Sequence, residues 1–219
     1  MAATAPVPAR FEGFGPDTLA FLRELREHNE KRWFDANRER YERWVRGPMQ
    51  ALVGELEGLF GPGRLFRPYR DLRFTKDKRP YKESVAATVG GRDAVAARYL
   101  HLNAEHLFVA AGAHRLSGTA LQSYRRAVET ETGGGELARI RDELAEKGYV
   151  LGGTSLKRAP RGVSPDHPRL DLLKHTGATI QRAYPVGAWL YDPDTVLPRV
   201  IETFADAEPL LAWAHAHLG

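Results

Sequence analysis

The chain has 219 residues, 42% hydrophobic and 27% charged, an ordinary balance for a folded globular protein. Cysteine is absent, which excludes a disulfide framework, a thiolate nucleophile and a cysteine-based zinc site. The formal net charge of +4 permits acidic partners without requiring nucleic acid. No apolar run approaches the roughly 18 residues that a membrane helix needs, and no signal-peptide pattern is visible. We therefore expect a cytoplasmic protein with no membrane partner.

The N-terminal section predicts three helices behind a flexible tail, residues 1–10. The first helix opens at Gly15-Pro16-Asp17, since proline suits the first turn of a helix. A second helical stretch follows Asn29 and is expected to break at Gly47-Pro48. The third has apolar residues at spacings of three and four and ends at residues 61–63, its apolar positions being Met49, Leu52, Val53, Leu56, Leu59 and Phe60.

A concentration of positive charge follows these helices. From Arg64 to Lys82 the chain carries eight Lys or Arg and two Asp, a local charge of +6 in a protein of net +4. Arg offers a planar two-pronged donor and Lys a mobile point charge, so the segment suits phosphate or carboxylate. Pro68 and Pro80 disfavour a helix, and we expect a short strand over residues 69–75 followed by a loop.

Two interpretations of this basic segment stay open. In the first it forms an anion pocket, in which Arg70, Arg73 and Lys78 contact the ligand, Asp71 orients an arginine and Tyr81 supplies a hydroxyl. The candidate ligand-binding residues are Arg67, Arg70, Asp71, Arg73, Asp77, Lys78, Tyr81 and Lys82. In the second the same side chains form a partly buried ion-pair network that pins the segment to the helices, at a cost in desolvation.

The second half of the chain alternates strand and helix patterns. Residues 98–102 and 106–111 predict a β-hairpin, and Ser117 predicts the cap of a following helix. Gly133-Gly134-Gly135 is expected to separate that helix from the next. Short strands are expected near 149–152 and 178–182.

The last helical region is expected to begin at Asp192-Pro193 and to be interrupted at Pro198. Helices at both ends, around strands in the centre, predict an α+β fold. Its expected parts are a helical N-terminal section, a mixed or antiparallel central sheet and a helical C-terminus, all in one domain over residues 11–219.

Candidate catalytic residues are few. His167, between Asp166 and Pro168, is the better acid/base candidate, although its partner is not visible in the sequence. Asp71 is the other; surrounding cations lower the pKa of such a carboxylate, which makes it a poor acid near neutral pH. The sequence identifies no cofactor and no reaction.

Two further features admit alternatives. His101 and His106 flank the expected hairpin turn, but no third ligand is marked, so we assign no metal site. The basic loop around Lys157, Arg158 and Arg161 either closes over the central segment or is simply solvated.

The basic segment resembles the pattern R-x-x-R-D-x-R-F-x-x-x-[D/N]-K-x-x-Y of a bacterial family of conserved hypothetical proteins, a domain of unknown function. The matching residues are Arg67, Arg70, Asp71, Arg73, Phe74, Asp77, Lys78 and Tyr81. Similarity extends to Phe21-Leu22, Asn29, Trp33-Phe34, Pro160–Gly162, Asp166–Pro168 and Leu173-Lys174. His28 departs from the asparagine that such proteins usually carry beside Asn29. The resemblance implies a shared site and names no reaction.

These observations favour a pocket for a phosphorylated or carboxylated small molecule, whether in an enzyme or in a binding protein. A nucleic-acid-binding module is the alternative, since Tyr69, Phe74 and Tyr81 interleave with the basic residues. It ranks lower because no recognition motif is present. A structural or partner-binding protein whose motif is an ion-pair network is the third class. The oligomeric state is not predicted.

Overall fold

We describe residues 10–73, 75–90 and 95–218 of a computed structural model. The helices are α1 (Pro16–Glu27), α2 (Lys31–Ala36), α3 (Arg38–Tyr41), α4 (Gly47–Phe60), α5 (Gly118–Glu129), α6 (Glu131–Glu146), α7 (Leu170–Leu173), α8 (Pro193–Asp206) and α9 (Glu208–Leu218). A π-helical segment (Glu42–Arg46) joins α3 to α4, and a 3₁₀ turn (Ala188–Tyr191) precedes α8. The strands are β1 (Gly63–Leu65), β2 (Val85–Val89), β3 (Ala97–Leu102), β4 (His106–Ala113) and β5 (Ala178–Pro185).

The strands form one antiparallel sheet in the order β1-β2-β3-β4-β5. In the β1–β2 pair, Arg64 lies opposite Thr88 and Leu65 opposite Ala87. The predicted hairpin is confirmed as β3 and β4. The strand expected near residues 149–152 is wrong, because only Gly152 forms an isolated bridge there. The α+β class, with helices at both ends of the chain, is confirmed.

The chain divides into two compact units. The first contains the described residues of Met1–Gly91, Tyr99–Phe108 and Ala183–Ile201. The second contains those of Arg92–Arg98, Val109–Arg182 and Glu202–Gly219. The single domain expected over residues 11–219 stays a prediction. Among the described residues, no helix combines the length and apolar character needed to cross a bilayer.

Helical backbone in the first unit passes through Gly47-Pro48 instead of breaking there, which corrects the sequence expectation. Gly47 has helical φ and ψ of −58° and −54°, and the wider π-helical turn lies directly before it. Pro48 has no N–H to donate to the Trp44 carbonyl four residues earlier. The Thr18 hydroxyl donates to that carbonyl instead, at 2.5 Å. A side chain of α1 therefore replaces the hydrogen bond that the proline removes.

Closely packed aromatic rings form the centre of the first unit's core. Phe34 lies 6.3 Å from Phe21, 5.1 Å from Tyr41 and 3.9 Å from Tyr81, between ring centroids. All four side chains are buried. Since Tyr81 ends the basic segment, this cluster joins that segment to the helices, and burial of such rings is a large stabilising contribution.

In the second unit, the three consecutive glycines lie inside helix α6, and the separator predicted there is wrong. The chain instead turns at Thr130, whose side chain accepts a hydrogen bond from the Gly133 N–H. Gly134 is buried, and a Cβ there would lie 2.0 Å from the Val128 carbonyl oxygen. The indole of Trp213 donates to the Gly133 carbonyl at 2.9 Å. Glycine is therefore present for close packing and not to end a helix.

Helix α8 begins where the sequence predicts. Asp192 accepts a hydrogen bond from the Asp194 N–H at 3.0 Å and another from the Thr195 hydroxyl at 2.5 Å. The expected interruption at Pro198 is wrong, since the helix continues to Asp206. Pro198 is exposed, so its ring meets no packed neighbour, and only one helical hydrogen bond is lost.

Replacement of Gly134 by alanine is expected to lower the free energy of unfolding by about 1–3 kcal/mol, because the new Cβ would overlap the Val128 carbonyl. Gly135→Ala is the matched control, since the nearest atom to its Cβ would be a Glu131 carboxylate oxygen at 3.7 Å. It should instead stabilise the helix by up to about 1 kcal/mol. Urea denaturation of both variants checks this, and equal stability of the two would contradict it.

Candidate functional site

The basic segment is a loop closed by a very short antiparallel pairing. Tyr69 and Tyr81 form an isolated bridge, in which the Arg70 N–H donates to the Pro80 carbonyl at 2.9 Å and the Lys82 N–H to the Pro68 carbonyl at 2.8 Å. The strand predicted over 69–75 is therefore wrong. Prolines can accept but not donate, so they limit the pairing to this bridge. Phe74 of the motif lies outside the described residues.

Asn29 clamps this closure to the helices. Its Oδ1 accepts from the Tyr81 N–H at 2.9 Å, and its Nδ2 donates to the Tyr81 carbonyl at 3.0 Å. The Tyr81 side chain is 1% exposed, and its ring stacks on Phe34 at an interplanar angle of 12°. Burial raises the pKa of the Tyr81 phenol. Tyr81 thus anchors the loop to the core.

Asp77 forms ion pairs with two arginines at the closed end of the loop. It accepts from Arg70 Nη1 at 2.6 Å and from Arg79 Nη2 at 2.7 Å, and its carboxylate also accepts from the Arg79 N–H at 3.1 Å. These hydrogen bonds, those of Arg79 first, hold the pKa of Asp77 well below its usual range. Arg79 also pairs with Glu83. Asp77 is therefore an ion-pair partner that stays charged, as the cation-rich sequence predicts.

Asp71 engages Arg73 in the same way near the tip of the loop. It accepts from the Arg73 N–H at 3.1 Å and from Arg73 Nη2 at 2.7 Å. These bonds are the main cause of a lowered pKa for Asp71. Both side chains are exposed, so the pair adds little to stability. Asp71 thus holds the guanidinium of Arg73, and its expected part in an anion pocket stays a prediction.

Arg67 and Lys82, like Lys78, form no ion pair with a carboxylate of the described residues. Lys82 Nζ donates to the Arg67 carbonyl at 3.0 Å and lies 5.4 Å from the centre of the Phe66 ring. Burial is the main cause of a lowered pKa for Lys82, and the Arg67 charge lowers it further. Within the described ranges, no carboxylate lies within ion-pair distance of either side chain.

An open concavity of about 690 Å³ lies on this loop. Its lining residues are Arg67, Arg70, Asp71, Leu72 and Arg73. Tyr81 is not among them, and Lys78 is directed to the Leu72 carbonyl, to which its Nζ donates at 3.2 Å. The arrangement can hold an anion by charge and by guanidinium hydrogen bonds.

The remaining sequence candidates lie elsewhere. His167 is in the second unit, where its Nδ1 accepts from the Arg169 N–H at 3.1 Å just before helix α7. This bond gives the ring a role in starting the helix. Lys157, Arg158 and Arg161 are exposed residues of the second unit.

His101 and His106 do approach each other across the hairpin, with ring centroids 5.4 Å apart. His101 also stacks on Phe108 at 5.0 Å. Burial, with a smaller effect of His106, lowers the pKa of His101 to about 4. Over the described residues there is no group of three or more side chains that could hold a metal ion.

A family model described as a conserved hypothetical protein, DUF2461, matches residues 17–213. The chain belongs to this family. The match covers the basic loop and Asn29, and it confirms the resemblance stated from the sequence. Searches of curated proteins and of solved structures gave no match.

The contribution of Asn29 was not predicted. The sequence marks Asn29 only as a position of the resemblance, beside the departure at His28. One local feature points to the clamp, an asparagine directly after an amphipathic helix. Its hydrogen-bond partner, Tyr81, lies 52 residues further along the chain. The exposed ring of His28 stacks on Trp33 instead.

Asn29→Ala is expected to lower the free energy of unfolding by about 2–4 kcal/mol, because the buried Tyr81 N–H and carbonyl would both lose their partners. His28→Asn, at the exposed neighbouring position, is the control and should change stability little. Thermal and urea unfolding check this. A loss from Asn29→Ala no larger than that of the control would contradict the clamp.

The lowered pKa of His101 predicts a pH dependence. Between pH 6.5 and about 4, the unfolded chain protonates this histidine and the folded protein does not. Stability that is present above pH 6.5 is therefore lost as the pH falls through this window. His101→Phe keeps a ring against Phe108 and should flatten the loss. Urea titrations across this range compare it with the exposed control His114→Phe; parallel profiles for wild type and His101→Phe would overturn the prediction.

Proposed function

We propose that this cytoplasmic protein binds a phosphorylated or carboxylated small molecule at Arg67 and Lys82, beside the concavity. The observation that carries the proposal is the unequal pairing of the loop's charges. Both aspartates of the loop are occupied by Arg70, Arg73 and Arg79. Arg67 and Lys82 form no ion pair among the described residues, although the charge of Arg67 contributes to the lowered pKa of Asp71.

The state of Lys82 supports a missing anion. Its ammonium is half-buried beside a second cation, an arrangement that disfavours the charged form and lowers its pKa. A bound phosphate or carboxylate reverses both effects, because an opposite charge nearby favours the ammonium. A bound anion would then give the Lys82 ammonium an opposite charge that the protein itself does not place beside it.

The other basic residues divide into two groups. Arg70 and Arg79, through Asp77, hold the two arms of the loop together. Arg73 lines the concavity and is oriented by Asp71, so it adds a planar donor for the bound anion. The ion-pair network that the sequence offered as the alternative therefore accounts for the loop's closure and leaves Arg67 and Lys82 for the ligand.

Lys82→Gln and Arg67→Gln are each expected to weaken binding of phosphate, ribose 5-phosphate or citrate by about 10- to 100-fold, the effect of losing one charged hydrogen bond. Arg64→Gln removes an exposed arginine of β1 and is the matched control. A thermal-shift screen selects the anion, since a ligand at 100 times its Kd adds about 2.7 kcal/mol of stability. Calorimetric titration then measures the three variants.

Wild-type affinity in both loop variants would exclude this site. Binding that appears only with oligonucleotides and disappears as salt is raised would instead support the nucleic-acid alternative.

A further inference from the structure

A row of aromatic rings crosses the sheet of the first unit, beside the proposed anion site. Phe66 follows β1, and its ring centroid is 6.2 Å from that of Tyr99 on β3. Tyr99 lies 5.6 Å from His101 and 6.3 Å from Phe108 on β4. The sequence interpretation did not use this row.

The row occupies the side of the hairpin opposite the core. Along β3, Leu100 and Leu102 are fully buried, while Tyr99 and His101 alternate with them and stay half-exposed. Along β4, Leu107 is buried and Phe108 is half-exposed. Because successive side chains of a strand point to opposite faces, the rings share the outer face. Polar side chains on this face would leave less apolar surface exposed to water.

The proposed anion site adjoins one end of this row. Phe66 is the residue before Arg67, and its side chain is 36% exposed. Lys82 Nζ lies 5.4 Å from the centre of the Phe66 ring. The Lys82 ammonium therefore belongs to the proposed anion site, with Arg67, and also lies next to the aromatic row. A ligand with its anionic group on Lys82 would place its next atoms against Phe66 and Tyr99.

We infer that the ligand joins a phosphate to a planar aromatic ring, and that it is a nucleoside monophosphate. This inference deepens the proposed function and rests on it. The phosphate pairs with Lys82 and Arg67, and the base stacks on the Phe66–Tyr99 end of the row. A carboxylated aliphatic metabolite would leave these rings unused.

The charge pattern favours a mononucleotide over a nucleic-acid strand. A strand needs a line of available cations along its backbone. In this loop, Arg70, Arg73 and Arg79 are paired with aspartates and the Lys78 ammonium donates to the Leu72 carbonyl, so a continuous line of available cations is interrupted.

The experiment compares adenosine 5′-monophosphate with ribose 5-phosphate by calorimetric titration of the full chain. The two probes share the phosphate and the sugar, so the ratio of their Kd values measures the ring alone. We expect the nucleotide to bind at least about tenfold more tightly, as one base–ring stack provides. Phe66→Leu and Tyr99→Leu should each reduce that ratio, because they weaken binding of adenosine 5′-monophosphate more than binding of ribose 5-phosphate. Tyr191→Leu, at a 42% exposed tyrosine away from the loop, is the control and should keep the ratio.

Equal Kd values for the two probes, with binding still lost in Lys82→Gln, would overturn the inference and keep the proposed anion site. Absence of binding by both probes and by inorganic phosphate would overturn the inference and the proposed function together. An oligonucleotide that binds much more tightly than the mononucleotide, with a steep salt dependence, would also overturn the mononucleotide assignment.

Discussion

The clamp between Asn29 and the Tyr81 backbone fixes the closed end of the basic loop to the helices. Asn29 follows the first helix, and its amide supplies one acceptor and one donor to a single buried peptide position. Together with the stacking of Tyr81 on Phe34, this fixes one arm of the loop to the helical core. The other arm continues from β1, where the Phe66 N–H donates to the Ala86 carbonyl, and it pairs with the first arm at Tyr69. The position of Arg67 therefore depends both on the sheet and on an amide far away in the sequence.

The loop's own ion pairs are local and exposed, so they contribute little to global stability. Their effect is on shape. Each aspartate accepts from the backbone N–H two residues later and from that residue's guanidinium, which sets the direction of the chain at Asp71 and again at Asp77. The motif thus spaces its carboxylates so that each organises an arginine two residues later, while Arg67 and Lys82 form no ion pair with either. A uniformly basic segment would repel itself and would not hold one conformation.

Much of the fold follows from periodicity. The leucines of α1, the apolar positions of α4 up to Leu56 and the alternation along β3 are all buried as their spacing predicts. The family and its residues could also be recognised from the basic run. The errors share a physical cause. Glycine and proline normally break helices, but Gly134 and Pro48 each lie inside one, where distant segments contact the helix. The Trp213 indole donates to the Gly133 carbonyl, and the Thr18 hydroxyl donates to the Trp44 carbonyl. Such tertiary compensation is invisible to local patterns, as is the partner of Asn29.

The closure of the basic loop by two backbone hydrogen bonds has a consequence for its motion. Opening of the loop breaks these two bonds, the Arg70–Asp77 ion pair and the contact of the Tyr69 ring with Tyr81, while the stacking of Tyr81 on Phe34 is independent of them. The loop is therefore a separate opening unit, whose amides exchange with solvent at a rate set by local opening and not by unfolding. A molecule that bridges the two arms adds a further contact between them. Its dissociation rate then limits how often the loop opens.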